Sequence, residues 1–459
     1  MSLGAFIFVP SLVIAVVLTS CAEHTPRNQP REVFQKGENW THAPSWASGS
    51  IQQNWWTSYR DSRLNSRIAT ALANNSDLRV LAARLERSRA QTRQAAAASW
   101  PSINLGTGLV YGNEAIRMTG FKSVDLEPWA SSAAISWEID LFGKIRAATN
   151  SAHQAEQAAF WDLHAGRLLV ATQVAEDHFR LLRLNEEKSL VVESVAANRK
   201  IVETMRHRNQ AGLISTTELR RQEAEHERLT RTILDLERLR GLANLQLSTL
   251  LGRATPSPPS AGTLQAVRTP PLPSRTTSAV LQHRPDLLAA EARVRSAFQL
   301  EESSRLNLLP SLALGAGASG QSSALAAGFR QWIASVGPRL DIPVYDPRRL
   351  AAVRVRRAET DEAAALYRST ALKAFEEVES SYLNVANRGR QLSAVRREVT
   401  ALDEARQNTL ALFEGGIVSQ IELLESERRS LEGRRQELAV RHALLRDHLA
   451  LVKALGGAQ

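Results

Sequence analysis

Residues 144–211 contain no proline, and neither do residues 348–415. Each stretch can form one helix of about 68 residues, roughly 100 Å long at 1.5 Å per residue. Helices of globular proteins average about 11–12 residues. A chain of 459 residues that sets two such stretches aside is building a wall rather than a single compact core. Shorter helical stretches, Leu64–Ser99 and Leu213–Leu251, add up end to end to about 110 Å at the same rise. Two short helices therefore match one long one.

The pattern occurs twice. NSDLRVLAARLERSRAQTRQAAAASWPSINLGTG from Asn75 is echoed by RPDLLAAEARVRSAFQLEESSRLNLLPSLALGAG from Arg284. Asp77 matches Asp286, Ala83 matches Ala292 and Pro101 matches Pro310. Further on, Asp140 in SWEIDLFGKIR matches Asp341 in GPRLDIPVYDPRR. NQAGLISTTEL from Asn209 matches FEGGIVSQIEL from Phe413, and Gly252 matches Gly456. The offset changes between blocks, so loop lengths differ while the elements persist. The expected repeats cover 64–252 and 278–457. Each has a helix (Leu64–Ser99 or Ser278–Leu309), two short strands, a long helix, a glycine turn and a returning helix. The joint at 253–277 is proline-rich and is not regular helix.

The apolar spacing of the long stretches is seven. Leu424, Leu431, Leu438, Leu445 and Val452 keep the period, as do Val378, Val385, Leu392 and Val399. Val174, Leu181, Val195 and Val202 sit on the same grid, which Lys188 interrupts. A seven-residue period selects left-handed supercoiling with knobs-into-holes packing. An ordinary antiparallel bundle is the alternative. The polar faces on both sides of the seam suit a wall with water inside and out.

The N-terminal stretch adds an address. Leu3–Leu18 is apolar and uncharged, too short for a membrane span and suited to a signal-peptide core. We expect a signal peptide over 1–20. Cys21, the only cysteine, follows Leu18-Thr19-Ser20. Residues 21–63, with Trp40, Trp46, Trp55 and Trp56, read as an extended arm. No later stretch has about 18 consecutive apolar residues, so any other membrane crossing falls to strands. The net charge of +10 arises from 57 Lys and Arg against 47 Asp and Glu, interleaved as in RRQEAEHERLTR. That mixture reads as solvated helix surface.

Strands are expected in SINLGTGLVYG after Pro101 and in PWASSAAISWEIDLFG, where Trp129, Ser131, Ala133, Ile135, Trp137 and Ile139 share a face. Their counterparts are SLALGAGASG after Pro310 and QWIASVGPRLDIPVY. Alternating strands of about ten residues with an aromatic near one end fit a bilayer-spanning barrel, and a soluble hairpin is the alternative. Four strands cannot close a barrel, and open edges in lipid leave backbone groups unpaired. Copies must pool strands: two give about eight, with an interior filled by side chains, and three give about twelve, which leaves a pore.

The LTSC box, HRPDL at 283–287, WPSINLG from Trp100, EIDLFGKIR with its echo LDIPVYDPRR, and the paired AGLIS and GGIVS turns together resemble the TolC-type outer-membrane efflux family, in its lipoprotein branch. The resemblance implies a mainly α fold with a small β part. A long helical barrel of coiled-coil hairpins would join four strands per chain contributing to a trimeric transmembrane β-barrel. It implies lipidation of Cys21 and an outer-membrane location. It implies a homotrimer in outer-membrane lipid, partnered by a periplasmic adaptor and an inner-membrane pump of RND type. The adaptor-docking tips would be Gly212, Leu213, Ile214 and Ser215, with Gly416, Ile417, Val418 and Ser419. The channel gate would comprise Ile421 and Leu424 as apolar constrictors, Glu425 as an acidic ring and Arg428 as its locking cation.

Other functions find little support. No HExxH, P-loop, GxSxG or dinucleotide fingerprint occurs. His226 in EAEHER reads as a charged helix face, not a ligand. The expectation is a non-enzyme without cofactor or metal. Heptads on a basic chain suggest a zipper, but the basic block is missing, so no nucleic-acid partner is expected. The rival is a periplasmic lipoprotein scaffold or spacer without transport activity, which would need no strands.

Overall fold

The computed structural model describes residues 40–43, 54–109, 129–256, 262–271, 281, 283–322 and 331–457. The signal peptide, Cys21, Trp46 and most of the arm lie outside the described residues. The elements are α1 Ser62–Asn74, α2 Ser76–Ala97, β1 Ser102–Leu109, β2 Trp129–Ile139, α3 Lys144–Gln210 and α4 Thr216–Leu250. After the joint follow α5 Pro285–Leu306, β3 Ser311–Ser322, β4 Gln331–Asp341, α6 Pro347–Glu414 and α7 Gln420–Ala454. The long helices α3 and α6 have 67 and 68 residues, as the absence of proline predicts.

The stretch expected as one helix over Leu64–Ser99 is two. It breaks at Asn75, whose backbone is extended at φ −60° and ψ 131°. The Asn75 side chain accepts a hydrogen bond from the Leu78 N–H at 3.1 Å, starting α2 afresh, and donates to the Leu250 carbonyl at 2.9 Å. Asp61 caps α1 by accepting from the N–H groups of Arg63 and Leu64. In the second repeat the described helix spans Pro285–Leu306, and Ser278, the expected start, lies outside the described residues. At α3 the Asp140 carboxylate accepts from the N–H groups of Ile145 and Arg146. The matched Asp341 does not take that part; Asp346 caps α6 through the Arg348 N–H at 2.9 Å. Pro347 occupies the first helical position, where its missing N–H costs nothing.

The described chain divides into two compact units. One contains the sheet with Arg84–Phe160 and Ala289–Arg368. Hydroxyl contacts between helices fasten it. Ser151 and Ser296 each donate to the other's carbonyl, at 2.8 and 2.9 Å. Ser303 donates to the Lys144 carbonyl and Thr92 to that of Ala152. Small side chains let these helices approach closely while each hydroxyl stays satisfied.

The other unit holds the main apolar core: Tyr59, Leu64, Ile68, Val174, Phe179, Leu182, Leu247 and Leu445 are all but inaccessible. Each such side chain contributes roughly 1.5–3 kcal/mol by leaving water. The heptad positions Leu181, Val202, Val378, Val385, Leu392, Leu438 and Leu445 are buried, and Lys188 avoids the seam's cost by pairing with Glu237 at 2.6 Å. Gly252 ends α4 at φ +69°, and a Cβ there would meet the Asn74 carbonyl at 2.4 Å. Gly456 repeats this at φ +84° against Arg284.

In this unit burial disfavours the charged form of three histidines. Arg67 donates to Nδ1 of His178 at 2.5 Å, which leaves Nε2–H to donate to Asp61 at 2.8 Å. Burial lowers the His178 pKa from its ordinary value. His448 is pushed down to about 4 by burial, and His442 to about 4 by burial and then by Arg183, Arg446 and Arg180. Burial opposes ionisation of Asp61, but its bonds from His178, Leu64 and Arg63 prevail and hold it at about 2.

Gly252→Ala should lower stability by about 2 kcal/mol through left-handed strain, whereas Gly241→Ala, in open helix, should raise it by about 0.5–1 kcal/mol. Thermal unfolding followed by circular dichroism distinguishes the pair. Because the histidine pKa values are depressed on folding, their contribution is complete above about 6.5 and is lost as pH falls towards 4. Asp61 holds its own contribution above about 3.8 and loses it as pH falls from there towards 2. The unfolding midpoint should therefore drop between pH 6.5 and 4, and His448→Gln should flatten that slope.

Candidate functional site

The strands form one antiparallel sheet in the order β1-β2-β3-β4. Each repeat supplies one pair, and the pairs meet where Ile135 lies opposite Ala316. Directly opposed residues share a face, so the register sorts the side chains. One face carries Ile103, Leu105, Ile135, Trp137, Leu314, Val336 and Leu340. Leu105 and Val336 are 83% and 85% exposed. The other face carries Ser132, Ser136, Gly315, Gly317, Ser335 and Gly337, with Ile333 its one large aliphatic among the described residues. Apolar side chains on one face and small polar ones on the other are the pattern of a membrane barrel strand. Trp137 donates its indole N–H to the Ser99 carbonyl at 2.8 Å, fixing an aromatic at the strand end. Strands β1 and β4 are open edges within the chain.

The two helical turns share one geometry. After α3, the Leu213 N–H reaches the Arg208 carbonyl and the Gly212 N–H that of Asn209. After α6, Ile417 reaches Leu412 and Gly416 reaches Phe413. Both glycines have φ +73°, which completes a Schellman ending. Ser215 then caps α4 in a reciprocal box with Glu218, and Ser419 caps α7 through the Glu422 N–H. Leu213 and Ile417 are each 73% exposed, while Ile214 and Val418 are half-buried. The turns are tied together: the Gln420 amide donates to Gln222 Oε1 and Met205 Sδ, and the Arg208 guanidinium lies over the Phe413 ring.

One turn further along α7, Ile421 is exposed and Leu424 half-buried. Glu425 pairs within the chain with Arg429 at 2.5 Å, not with Arg428. Leu424 and Arg428 line a cleft with Glu225, Arg406, Glu427 and Arg434. Burial raises the Glu427 pKa, and Glu225 adds to the rise while Arg406 offsets part of it. Asn198, also in the cleft, holds a buried Oδ1 that has no hydrogen-bond partner among the described residues.

With this geometry in place, the family model described as outer membrane efflux protein matches residues 68–253 and 276–457. The chain belongs to the outer membrane efflux protein family. The pyoverdine export outer membrane protein OpmQ of Pseudomonas putida is 27% identical over 456 residues, covering 97% of this chain and 96% of OpmQ. The cation efflux system protein CusC of Escherichia coli K12 is 26% identical over 478 residues, covering 97% and 98%. Among solved structures, the open-state MtrE outer membrane channel of Neisseria gonorrhoeae superposes with a TM-score of 0.79 at 23% identity, covering 95% of this chain and 98% of MtrE. The Campylobacter jejuni CmeC channel gives 0.82 at 20%, covering 95% and 94%. This efflux protein thus shares the channel fold over nearly its whole length.

Several determinants escaped the sequence reading. Arg284, inside the quoted HRPDL, donates to the Ala454 carbonyl at 2.8 Å and pairs with Asp286 and Glu377, both at 2.7 Å. It occupies the place of Asn75 in the first repeat, and both side chains hold the end of their repeat's last helix. The Asn-Ser-Asp sequence at 75–77 carried a start signal for α2 that the periodicity of its surroundings masked.

Proposed function

We propose that three copies of this chain form the exit duct of a tripartite efflux assembly, through which small molecules cross the outer membrane passively. Three four-stranded sheets would close into one barrel of about twelve strands. The observation that carries this reading is the two-faced sheet with two open edges. An apolar outer face suits hydrocarbon, and the edges need partners that a single chain does not supply. The long helices of three copies would form the wall of a water-filled tunnel, consistent with heptad seams flanked by polar faces.

Cys21 would carry lipid after cleavage of residues 1–20, and the following Ala22 suits an outer-membrane destination. A periplasmic adaptor would dock on Gly212–Ser215 and Gly416–Ser419, where Leu213 and Ile417 offer exposed apolar contacts on rigid, capped turns. An inner-membrane pump, of RND type, would supply the driving force. Ile421, Leu424, Glu425 and Arg428 would form the gate near the second tip, with Arg429 modulating the charge on Glu425.

Single-channel recording of the purified protein, with its mass in detergent, tests the assembly; a monomer without conductance would overturn it. Glu425→Ala should raise closed-state conductance in planar bilayers, and an unchanged conductance would remove Glu425 from the gate. Joint replacement of Leu213 and Ile417 by Asp should weaken adaptor binding at least about tenfold, or roughly 1.4 kcal/mol. Dye export from cells that depend on the protein should then fail while the conductance of the purified channel persists.

A further inference from the structure

The polar face of the sheet is almost uncharged. Among its described residues, only Glu138, Arg339 and Asp341 carry charge. The register sets Ala313 opposite both Glu138 and Arg339, and Ser311 opposite Asp341. All the charge therefore falls on the last two rungs, at the strand ends that lead into α3 and α6. The rungs beyond hold mainly serine, glycine and alanine.

The three charges are not equivalent. Glu138 is neutralised by Lys144 at 2.5 Å, and Asp341 by Arg349 at 3.3 Å. Arg339 is exposed and has no ion pair among the described residues. Its position on an edge strand leaves one side to be filled. If the barrel closes as proposed above, β4 meets β1 of the next copy. The polar-face residues of β1 are Ser102, Asn104, Gly106 and Gly108, none of them charged. Closure therefore brings no carboxylate from β1 to Arg339.

Resting on that trimeric reading, we propose that Arg339 is a selectivity residue: three copies form a cationic ring inside the barrel that favours passage of anionic small molecules. Rings of arginine or lysine act this way in anion pores by offering a favourable potential at one level of the path. Screening confines the effect, since the Debye length is about 8 Å at physiological ionic strength. The ring acts on ions passing its own rung and leaves the distant tips unaffected. Permeant anions need no binding pocket here, only a small neutral wall whose one unbalanced charge is positive.

The test uses the full-length protein in planar bilayers under a KCl gradient. Arg339→Gln should lower the chloride-to-potassium permeability ratio about threefold, as expected for losing one screened charge per copy. Arg339→Glu should lower it further, and Arg339→Lys should keep the wild-type reversal potential. A second measurement reads the side chain's position. Cys21 is the chain's only cysteine and would be blocked by lipid, so Arg339→Cys adds a single reactive thiol. An anionic methanethiosulfonate added to the bath should alter its conductance. Conducting Arg339→Gln and Arg339→Glu channels that both keep the wild-type reversal potential, or a thiol that the reagent never reaches, would overturn the ring alone. Wild-type protein that is monomeric and silent would instead remove the barrel and the ring together.

Discussion

A peptide backbone cannot end a sheet in hydrocarbon without leaving a row of donors and acceptors unpaired, each costing several kcal/mol. Every other feature of this chain can be read as a response to that constraint. Duplication doubles the strands each copy brings from two to four, and β2 and β3 seal the joint between the two pairs. The remaining edges, β1 and β4, must be satisfied by other copies. The inner face then bears on how many. An eight-stranded barrel needs bulky side chains to fill its interior. Glycine and serine at Gly106, Ser132, Gly315, Gly317 and Ser335 fill very little. A two-copy closure would leave a narrow, poorly packed core, whereas a wider ring needs no filling because water occupies it.

The helical parts meet a different requirement. In the helical unit, apolar burial is concentrated in one core and along the heptad seams. Polar contacts must position the rest without leaving orphans. The structure does this twice with different chemistry at equivalent places. Asn75 and Arg284 each reach back to a carbonyl at the end of their repeat's final helix, Leu250 and Ala454. The arginine needs two carboxylates besides, because a buried cation without them would cost more than it gains. The reciprocal Ser151–Ser296 contact achieves close helix approach with no charge at all.

The long helices, the strands, the duplication and the glycine turns were legible because each rests on a periodic or punctuating signal. Proline-free length, a period of two, a period of seven and glycine at a reversal can all be seen in one dimension. What escaped was set by partners distant in sequence. Asn75 breaks an apparently continuous helix because a carbonyl 175 residues away accepts its amide. Asp346 replaces Asp341 as a cap because β4 ends six residues before α6 begins. Arg429 captures Glu425 through ordinary helical spacing, which the sequence displayed but which the proposed locking role of Arg428 left unweighed. The charge on the sheet's polar face became visible only once register fixed which residues share it.

Duplication also makes the two tips comparable residue by residue, and their differences bear on the proposed gate. The caps are kept: Ser215 and Glu218 correspond to Ser419 and Glu422, and Leu219 and Leu423 are both buried. The gate positions are not. Where the second repeat has Ile421, Leu424, Glu425 and Arg428, the first has Thr217, Arg220, Arg221 and Ala224. Arg220 is held by Glu223, which also binds Arg206, so this copy keeps its basic charge in a local network. If both tips carried a carboxylate at the narrow end, a ring of three chains would crowd six like charges together. Their repulsion would rise as the ring closed, opposing the closed state. In the proposed ring, divergence would leave three carboxylates alternating with Arg221, which is exposed and of opposite sign. The same cap geometry would thus suit the proposed docking surface on both tips, while only the second would supply the proposed acidic ring.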